Sequence, residues 1–268
     1  MTVVTDGGLR GLHDTLESAY LALLAQGSAR HFERRRDGYT LVGFAGLASP
    51  SMNRVASIDV PPARIGEMVE DAHDLFRERG LPWCVHVTPF TRPSDLESRL
   101  GRFRLLSELS VMVHDPAMQP RARPRAAPGD LRVRELEARE LPLFLNVTLE
   151  TFGMSRGFFP GLLDITAGWV ESGGRAYVAE LDGEVVGCGL LSRSEDVGGV
   201  YNMGTKPSAR RRGVATAILR RIIRDQEESG GGLLTLQVTR DAYAEALYRS
   251  LGFERAYSWR LLAPRTYH

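Results

Sequence analysis

The chain has 268 residues, of which 43% are apolar and 25% charged, with 34 basic against 33 acidic side chains. This composition excludes a disordered, collagen-like or low-complexity chain and predicts one large folded domain or two of modest size. The balance of charge argues against a dedicated duplex-DNA binder, whose affinity comes mainly from neutralising phosphates. No stretch approaches the roughly 18 apolar residues of a membrane span, and no signal-peptide pattern opens the sequence. We therefore expect a cytoplasmic protein with no membrane partner.

The two cysteines lie far apart in the sequence and form no paired motif. In a reducing cytosol, Cys84 and Cys188 are best interpreted as small apolar residues of the core. Cys84 and His86 alternate onto one face of a predicted strand, a spacing that a metal site also uses. With no further ligand close by in the sequence, core packing is the favoured interpretation, and we expect no metal.

A proline-rich segment divides the chain into two parts of similar length. Residues 115–130 contain four prolines and few large apolar side chains, and proline removes backbone donors and favours an extended linker. We predict a first domain at 1–115, a linker at 116–129 and a second domain at 130–268.

In the first part, apolar residues recur at helical spacing over 9–26, and Asp37-Gly38 predicts the turn of a hairpin over 31–44. The other predicted elements of this part are a strand at 54–60, a helix from Pro61 to about Arg79, a strand at 83–87, a short helix at 93–100 and a strand at 105–114.

The second part repeats this order after an additional strand and two helices. Its predicted elements are a strand at 131–134, helices near 138–151 and 159–171, a hairpin of 176–181 and 184–192, a strand at 199–205, a helix at 214–228, a strand at 233–238, a helix at 242–251 and a last strand at 254–262. A hairpin followed by strand, helix, strand, helix and strand occurs in both parts, which indicates an internal duplication within an α+β fold.

Residues 203–217, MGTKPSARRRGVATA, are the most informative segment of the chain. A predicted strand ends at Thr205, and a helix begins after Gly213, where unpaired first-turn N–H groups suit a phosphate. Seven basic residues and no acidic one lie between Lys206 and Arg224. Neither a P-loop nor a dinucleotide-binding G-x-G-x-x-G is present, so the pattern favours a small ligand that carries a pyrophosphate.

Two blocks of the second part resemble the GNAT superfamily of acyl-CoA-dependent N-acetyltransferases. Residues 210–215, RRRGVA, match its R/Q-x-x-G-x-G/A signature, and residues 244–253, AEALYRSLGF, are similar to its A-x-x-L-Y-x-x-x-G-F block. The resemblance covers about residues 130–262, and residues 1–114 resemble a degenerate copy, as in tandem-GNAT proteins. It implies two GNAT-like mixed-sheet domains in tandem and an enzyme that transfers an acetyl group from acetyl-CoA to a primary amine in a direct ternary complex.

The resemblance also implies which residues form the site. The strand backbone of Met203, Gly204 and Thr205 is expected to pair with the pantetheine arm of the coenzyme. Its pyrophosphate is implied to be held by the amides of Arg211, Arg212, Gly213, Val214, Ala215 and Thr216, and Arg210 is a further implied coenzyme contact. Tyr248 matches the tyrosine that protonates the departing thiolate in many members, and a phenol can protonate a thiolate as charge develops. Helix packing is the alternative role for Tyr248.

Two positions depart from the pattern of the family. Asp241 stands where Asn or Ser often contacts the pantetheine, and an aspartate accepts but does not donate a hydrogen bond. We retain Asp241 as an implied coenzyme contact. Many members carry a glutamate on the strand before the loop, as base for the substrate ammonium, but the predicted strand at 199–205 has no carboxylate. Glu195, Asp196, Glu150 or no base at all stay open as alternatives.

The first half lacks both blocks. Its counterpart to the second block reads LESRLGRF at 96–103, and no Arg-x-x-Gly loop precedes the helix that begins at Pro61. We expect no coenzyme in this half and predict that it completes the fold and walls the acceptor cleft.

The acceptor and the oligomeric state, monomer or homodimer, stay open on the sequence. The acceptor region is expected within residues 138–173, whose large apolar side chains predict either an apolar lining or core; these are Phe152, Met154, Phe158 and Phe159. A non-catalytic acetyl-CoA sensor or partner-binding module is an alternative function. A nucleic-acid-associated protein is less favoured, because no aromatic platform lies among the arginines of 210–224.

Overall fold

The computed structural model describes residues 6–28, 30–115, 130–194 and 197–265. The predicted linker at 116–129 and two of the candidate bases, Glu195 and Asp196, lie outside these residues. The elements in chain order are α1 (Asp6–Gln26), β1 (His31–Arg36), β2 (Tyr39–Phe44), β3 (Arg54–Ala56), α2 (Ile65–Arg77), β4 (Cys84–Val87), α3 (Leu96–Arg99), β5 (Phe103–His114), β6 (Arg132–Glu135), α4 (Leu141–Phe152), α5 (Phe159–Glu171), β7 (Arg175–Leu181), β8 (Glu184–Ser194), β9 (Val197–Thr205), α6 (Val214–Glu228), β10 (Leu234–Thr239), α7 (Tyr243–Ser250) and β11 (Phe253–Pro264).

The strands form one mixed sheet of eleven strands in the order β1-β2-β3-β4-β11-β5-β10-β9-β8-β7-β6. β3 pairs with β4 and β9 pairs with β10 in parallel, while the other neighbours are antiparallel. Each parallel pair is joined by a helix, α2 or α6, because parallel strands need a crossover connection. The repeated order of elements in the two halves therefore becomes a repeated pair of crossovers.

The last strand of each half lies within the other half of the sheet. β11 is inserted between β4 and β5, and β5 is inserted between β11 and β10. The pairing of β5 with β11 runs from His114 opposite Phe253 to Phe103 opposite Pro264. The two halves consequently share one continuous sheet. The domain boundary predicted at 115–130 stays a prediction.

Helices cover both faces of the sheet. Consecutive residues of β5 show the division, because Val111 packs with side chains of α1 and Met112 packs with side chains of α6 and α7. α2 covers the first half on the same face as α6, whereas α4 and α5 lie with α1 on the opposite face. The C-terminal part of β5 is thus buried on both sides, at Ser110, Val111 and Met112.

α1 and α5 bring the two halves into close contact. A Cβ on Gly168 would lie 2.5 Å from the carbonyl oxygen of Gly27, so only glycine allows this approach of helix and chain. The indole Nε1 of Trp169 donates to the carbonyl oxygen of Leu23. This contact fixes the first half against the helices that precede β7.

Most predicted elements are found within a few residues of their expected bounds, and α6 spans residues 214–228 as predicted. The predicted strand at 54–60 is shorter, because Ser57 has a left-handed backbone with φ of 52° that interrupts it after Ala56. Cys84 and Cys188 are buried free thiols. Among the described residues, every helix is too short or too polar to cross a bilayer.

Candidate active site

β9 and β10 part at the centre of the sheet. Their parallel pairing is limited to Gly198 with Leu234 and Gly199 with Thr235. Beyond these pairs β9 continues to Thr205 and β10 to Thr239 without facing each other. The strands therefore leave an opening between their carboxyl ends, which is where ligands commonly bind in sheets with parallel strands.

A β-bulge lies in β9 beside this opening. Cys188 pairs with Gly204 and Leu190 pairs with Tyr201, so the two residues Asn202 and Met203 oppose the single Gly189. Asn202 has a φ of 49°, in the left-handed region that non-glycine residues rarely adopt. A bulge of this kind takes backbone groups out of the pairing ladder and redirects them, so β9 presents irregular backbone at the opening.

The chain leaves β9 through a loop that ends at the start of α6. Arg211 and Gly213 have φ of 60° and 83°, and α6 begins at Val214 without a side-chain cap. The first bond that returns to this turn is from Ala217 N to Gly213 O. The first-turn N–H groups of α6 therefore have no backbone acceptor among the described residues, as at any uncapped helix start.

Three exposed arginines surround this helix start. Arg210 donates through Nε to the carbonyl oxygen of Thr205 at 3.3 Å, and Arg212 bonds to Asp182 at 3.2 Å. In the part of the chain that the structure describes, Arg211 has no acidic partner within salt-bridge distance. Unpaired N–H groups, the positive end of the helix dipole and the guanidinium charge of Arg211 are features that favour the binding of an anion.

The other predicted coenzyme contacts lie on or beside the first turn of α6. Val214 is buried against β8, where a Cβ on Gly187 would collide with it. Ala215 and Thr216 are half-buried. Met203 lies over Gly189, and Gly204 packs against Cys188 and Thr151. The structure thus brings residues 203–205 and 210–216 together on consecutive segments of one connection.

Tyr248 lies on α7 with its ring buried, at 8% exposure. It belongs to the same apolar cluster as Met203 and Val214, and its ring meets that of Phe253 edge-on at 5.9 Å. Burial raises the pKa of Tyr248 to about 12, so the phenol stays protonated at neutral pH. No hydrogen bond binds its hydroxyl to another described residue, which leaves the hydroxyl available to a ligand.

The carboxylate of Asp241 is engaged by arginines of the same chain. Its φ is 57°, and its carboxylate accepts from Arg255 at 2.6 Å and lies 3.5 Å from Arg240. Its N–H donates to the buried carboxylate of Glu245. The side chain is therefore committed to intramolecular charges, and its predicted contact with a coenzyme stays a prediction.

A second opening lies on the other face of β9. This cavity of about 300 Å³ is bounded by α1, the chain after β2, α4 and α5 as well as by Tyr201 and Asn202 of the bulged segment. Its large lining residues include Tyr20, Leu47, Phe152, Met154, Leu162 and Trp169. Phe158 and Phe159 are not among its lining; they are half-buried and pack against the neighbouring core cluster. The cavity is therefore largely apolar and is formed by both halves of the chain.

The polar groups of this cavity are few. Tyr201 stacks on Trp169 at 5.5 Å, and its hydroxyl is buried without a hydrogen-bond partner. Thr166 has the same kind of unpartnered hydroxyl. None of the described lining residues carries a carboxylate. Glu150, one of the candidate bases, lies 3.5 Å from Lys206 at the surface.

The sequence did not identify Tyr20, the aromatic residue that the first half contributes to the described lining of this cavity. Tyr20 belongs to an apolar helical stripe in the sequence, which is typical of core, and its hydroxyl accepts from buried Arg54 at 2.6 Å. The signal available in the sequence was Arg54, a charged residue in a strand of otherwise apolar residues. Such an arginine needs a partner in the interior.

In the first half, β3 and β4 part in a similar way but are joined again. Val60 donates to the carbonyl oxygen of Arg92 at 3.1 Å, and Arg92 donates to Ile58 at 2.9 Å. α2 begins at Ile65 after a short turn that contains two prolines, with no arginine–glycine loop. The expectation that this half holds no coenzyme stays a prediction.

Comparison with known proteins matches one segment of the chain to a domain family and nearly the whole chain to a fold. Residues 172–255 match the acetyltransferase (GNAT) domain. No curated protein sequence matches the chain. A GCN5-related N-acetyltransferase from Kribbella flavida has a similar fold, with a TM-score of 0.72 at 17% identity over 94% of this chain and 95% of that chain.

Two further solved structures show the same likeness. A GCN5-related N-acetyltransferase from Sphaerobacter thermophilus gives a TM-score of 0.62 at 17% identity over 84% of this chain and 79% of the other. A tandem GNAT protein from the clavulanic acid biosynthesis pathway gives 0.61 at 16% identity over 97% and 95%. These comparisons confirm the predicted α+β fold with GNAT-like mixed-sheet architecture along nearly the whole chain.

Proposed function

The chain carries a GNAT acetyltransferase domain in its C-terminal half, and on that premise we propose that it transfers an acetyl group from acetyl-CoA to a primary amine. The observation that supports this most directly is the connection from β9 to α6. A bulged strand at Asn202–Met203 borders the parted strands, and the same segment then turns through Gly213 into a helix with free N–H groups.

In this proposal the coenzyme is bound mainly by backbone. The N–H groups of 211–216 receive its pyrophosphate, and Arg211 and Arg212 add positive charge beside them. Gly213, with no Cβ and a φ of 83°, allows the phosphates to approach the chain closely. The pantetheine arm pairs with the backbone of 203–205 in the opening between β9 and β10.

The proposed reaction is direct transfer within one ternary complex. The amine nitrogen attacks the thioester carbonyl carbon, a C–N bond forms and the C–S bond breaks. N–H groups of the bulge around Met203 stabilise the negative charge that develops on the carbonyl oxygen. Tyr248 donates its proton to the leaving thiolate, and the proton released from the product nitrogen restores the phenol through solvent. Positioning of the two substrates supplies most of the rate.

The apolar cavity beside Tyr201 is proposed to hold the acceptor. An ammonium group that enters such a cavity loses hydration, which disfavours its charged form and lowers its pKa. A desolvated amine can therefore reach its neutral, nucleophilic form without a strong base. This accounts for activity with no carboxylate among the described residues of the cavity.

The two cysteines are buried free thiols, which favours the cytoplasm as the compartment of the protein.

A non-catalytic acetyl-CoA-binding module is the second candidate. The commitment of Asp241 to Arg255, and a cavity lined by no described carboxylate, are the observations that favour it. Such a module binds the coenzyme but transfers nothing.

Acetyl transfer to a panel of aromatic, aliphatic and polar amines separates the two candidates. Product is detected by mass spectrometry and free coenzyme thiol by absorbance, with saturating acetyl-CoA. The proposed enzyme acetylates at least one apolar amine in preference to polar ones. Tight acetyl-CoA binding without transfer to any amine of the panel would favour the module instead.

A further inference from the structure

The first half contains a polar cavity that the proposed reaction does not use. It has a volume of about 380 Å³ and lies between α1 and the ends of β3 and β4. Two buried ionisable residues of α1 line it, Glu17 at 6% exposure and His13 at 7%. They are one helical turn apart, so both project from the same face of α1.

Neither residue has its full set of partners. The Oε2 atom of Glu17 and the Nδ1 atom of His13 are buried without a hydrogen bond. The other carboxylate oxygen accepts from the hydroxyl of Ser57 at 3.2 Å. Buried polar groups are nearly always paired in native proteins, and each exception calls for an explanation such as an absent ligand.

The nearest buried cation is directed elsewhere. Arg54 donates to the hydroxyl of Tyr20 and to the carbonyl oxygen of Ser51, and it forms no salt bridge with Glu17. His86 lies 3.7 Å from the carboxylate, but burial lowers its pKa well below the usual range and leaves it neutral. Burial also raises the pKa of Glu17, and the more distant charge of Arg54 opposes this.

The backbone around this carboxylate is held in an unusual conformation. Ser57, which holds Glu17, has a φ of 52°, and Asn202 at the corresponding parting of β9 and β10 has a φ of 49°. Left-handed backbone at a non-glycine residue is costly and concentrates at functional sites. The first half therefore keeps the strand irregularity of the second half, although its loop before the helix differs.

The walls of the cavity combine a cation's partners with apolar surface. The ring of His13 stacks on Phe90 at 4.5 Å, and Leu21 and Ile58 are also part of the lining. The cavity is lined by three carboxylates and two guanidinium groups. Of these five groups only the carboxylate of Glu17 is buried. The exposed ones are Asp14, Asp59, Arg10 and Arg35. Among the described residues no group of three or more metal-ligating side chains occurs.

We propose that this cavity is a second binding site, separate from the acceptor cavity, for a small organic molecule with a primary ammonium group. The ammonium donates to Oε2 of Glu17 and to Nδ1 of His13, and the apolar part of the ligand lies against Phe90. A charge-assisted hydrogen bond is stronger than a neutral one, and an aromatic wall adds attraction for a cation. The site does not depend on the proposed acetyl transfer.

Binding of phenethylamine to the full chain tests the proposal, with phenethyl alcohol as the uncharged probe. The C–H signals of the His13 imidazole are followed by NMR during each titration. Phenethylamine is expected to shift them saturably, and the alcohol is not. Glu17→Gln keeps the shape of the side chain and is expected to weaken amine binding at least tenfold, while the exposed control Glu184→Gln leaves it unchanged.

A second pair of variants separates the two cavities and does not depend on changing a buried residue. Ser18 lines the second site from its exposed rim, so Ser18→Trp is expected to abolish amine binding without changing the unfolding temperature. Met154→Trp, in the proposed acceptor cavity, is expected to leave amine binding at the second site intact. The proposal is overturned if the amine fails to bind, if the alcohol binds equally, or if Met154→Trp and not Ser18→Trp removes binding.

Discussion

Trp259 of β11 faces Leu109 of β5 across an antiparallel pair, although the two strands end different halves of the chain. Trp259 is buried with Leu16 of α1 and Val111 of β5. Each half therefore depends on the other for the strand that lies between its own last two strands. The exchange explains why the two halves form one sheet instead of two adjoining ones.

Residues 1–115 and 130–268, produced separately, are expected not to fold. Without β11 the edge of β4 is unpaired, and without β5 the strands β10 and β11 have no common neighbour. Exposed strand edges of this kind aggregate. Circular dichroism and gel filtration of each piece, alone and co-expressed, measure this. Co-expression should restore a folded complex, and cooperative unfolding of either piece alone would contradict the exchange.

Tyr248→Phe is expected to keep acetyl-CoA affinity and to lower kcat by about 10²-fold or more, the usual contribution of a general acid. Because burial raises the pKa of Tyr248 to about 12, the loss should be equal at neutral and mildly alkaline pH. Tyr243→Phe is the matched control, since Tyr243 lies on the same helix with 83% exposure. An unchanged kcat in Tyr248→Phe would leave the tyrosine with packing alone.

Glu245 is expected to stabilise the start of α7 in a pH-dependent way. Its buried carboxylate accepts from the Asp241 N–H, Ser110, Arg249 and Arg255. Burial alone would raise its pKa, but these bonds outweigh burial and lower the pKa to about 2. The pKa is depressed in the folded state, so the stabilisation is complete above the unfolded value of 4.5 and is lost as pH falls towards 2.

Glu245→Gln measures this contribution, because it removes the charged acceptor of Arg249 and of half-buried Arg255. We expect a loss of about 1.5–3 kcal/mol in the free energy of unfolding at neutral pH, the usual range for hydrogen bonds to a charged group. Urea unfolding between pH 2 and 7 should show the difference from the unmodified chain shrinking in acid. The exposed Glu228→Gln is the control. A difference that is constant with pH would indicate a loss of packing instead.

Met154→Trp is expected to raise KM for the amine without changing the affinity for acetyl-CoA. The larger side chain narrows the cavity beside Tyr201 and Asn202, and none of the proposed coenzyme contacts at 203–205 and 210–216 is among the lining of that cavity. Arg156→Trp, in the same connection but outside the cavity, is the control. Steady-state kinetics with each substrate varied in turn separates the effects, and a loss of acetyl-CoA affinity would place the two sites in one cavity.

Local pattern in the sequence predicted the elements well, because helix and strand periods are properties of neighbouring residues. The bounds of α6 could be predicted from the apolar residues that recur at helical spacing within 214–228. The exchange of β5 and β11 could not, since both read as ordinary strands and their partners lie far away in the sequence. Burial of Glu17 was equally inaccessible, because a glutamate on a helix is usually solvated.

Titration with acetyl-CoA, followed by thermal unfolding, tests the central claim most directly. Saturation at 100 times Kd should add about 2.7 kcal/mol to the free energy of unfolding, while ATP and NADH should add little. Gly213→Trp should abolish the shift, whereas Gly230→Trp, at the other end of α6 with a φ of 71°, should retain it. An equal shift with ATP, or a full shift in Gly213→Trp, would contradict a coenzyme site at the start of α6.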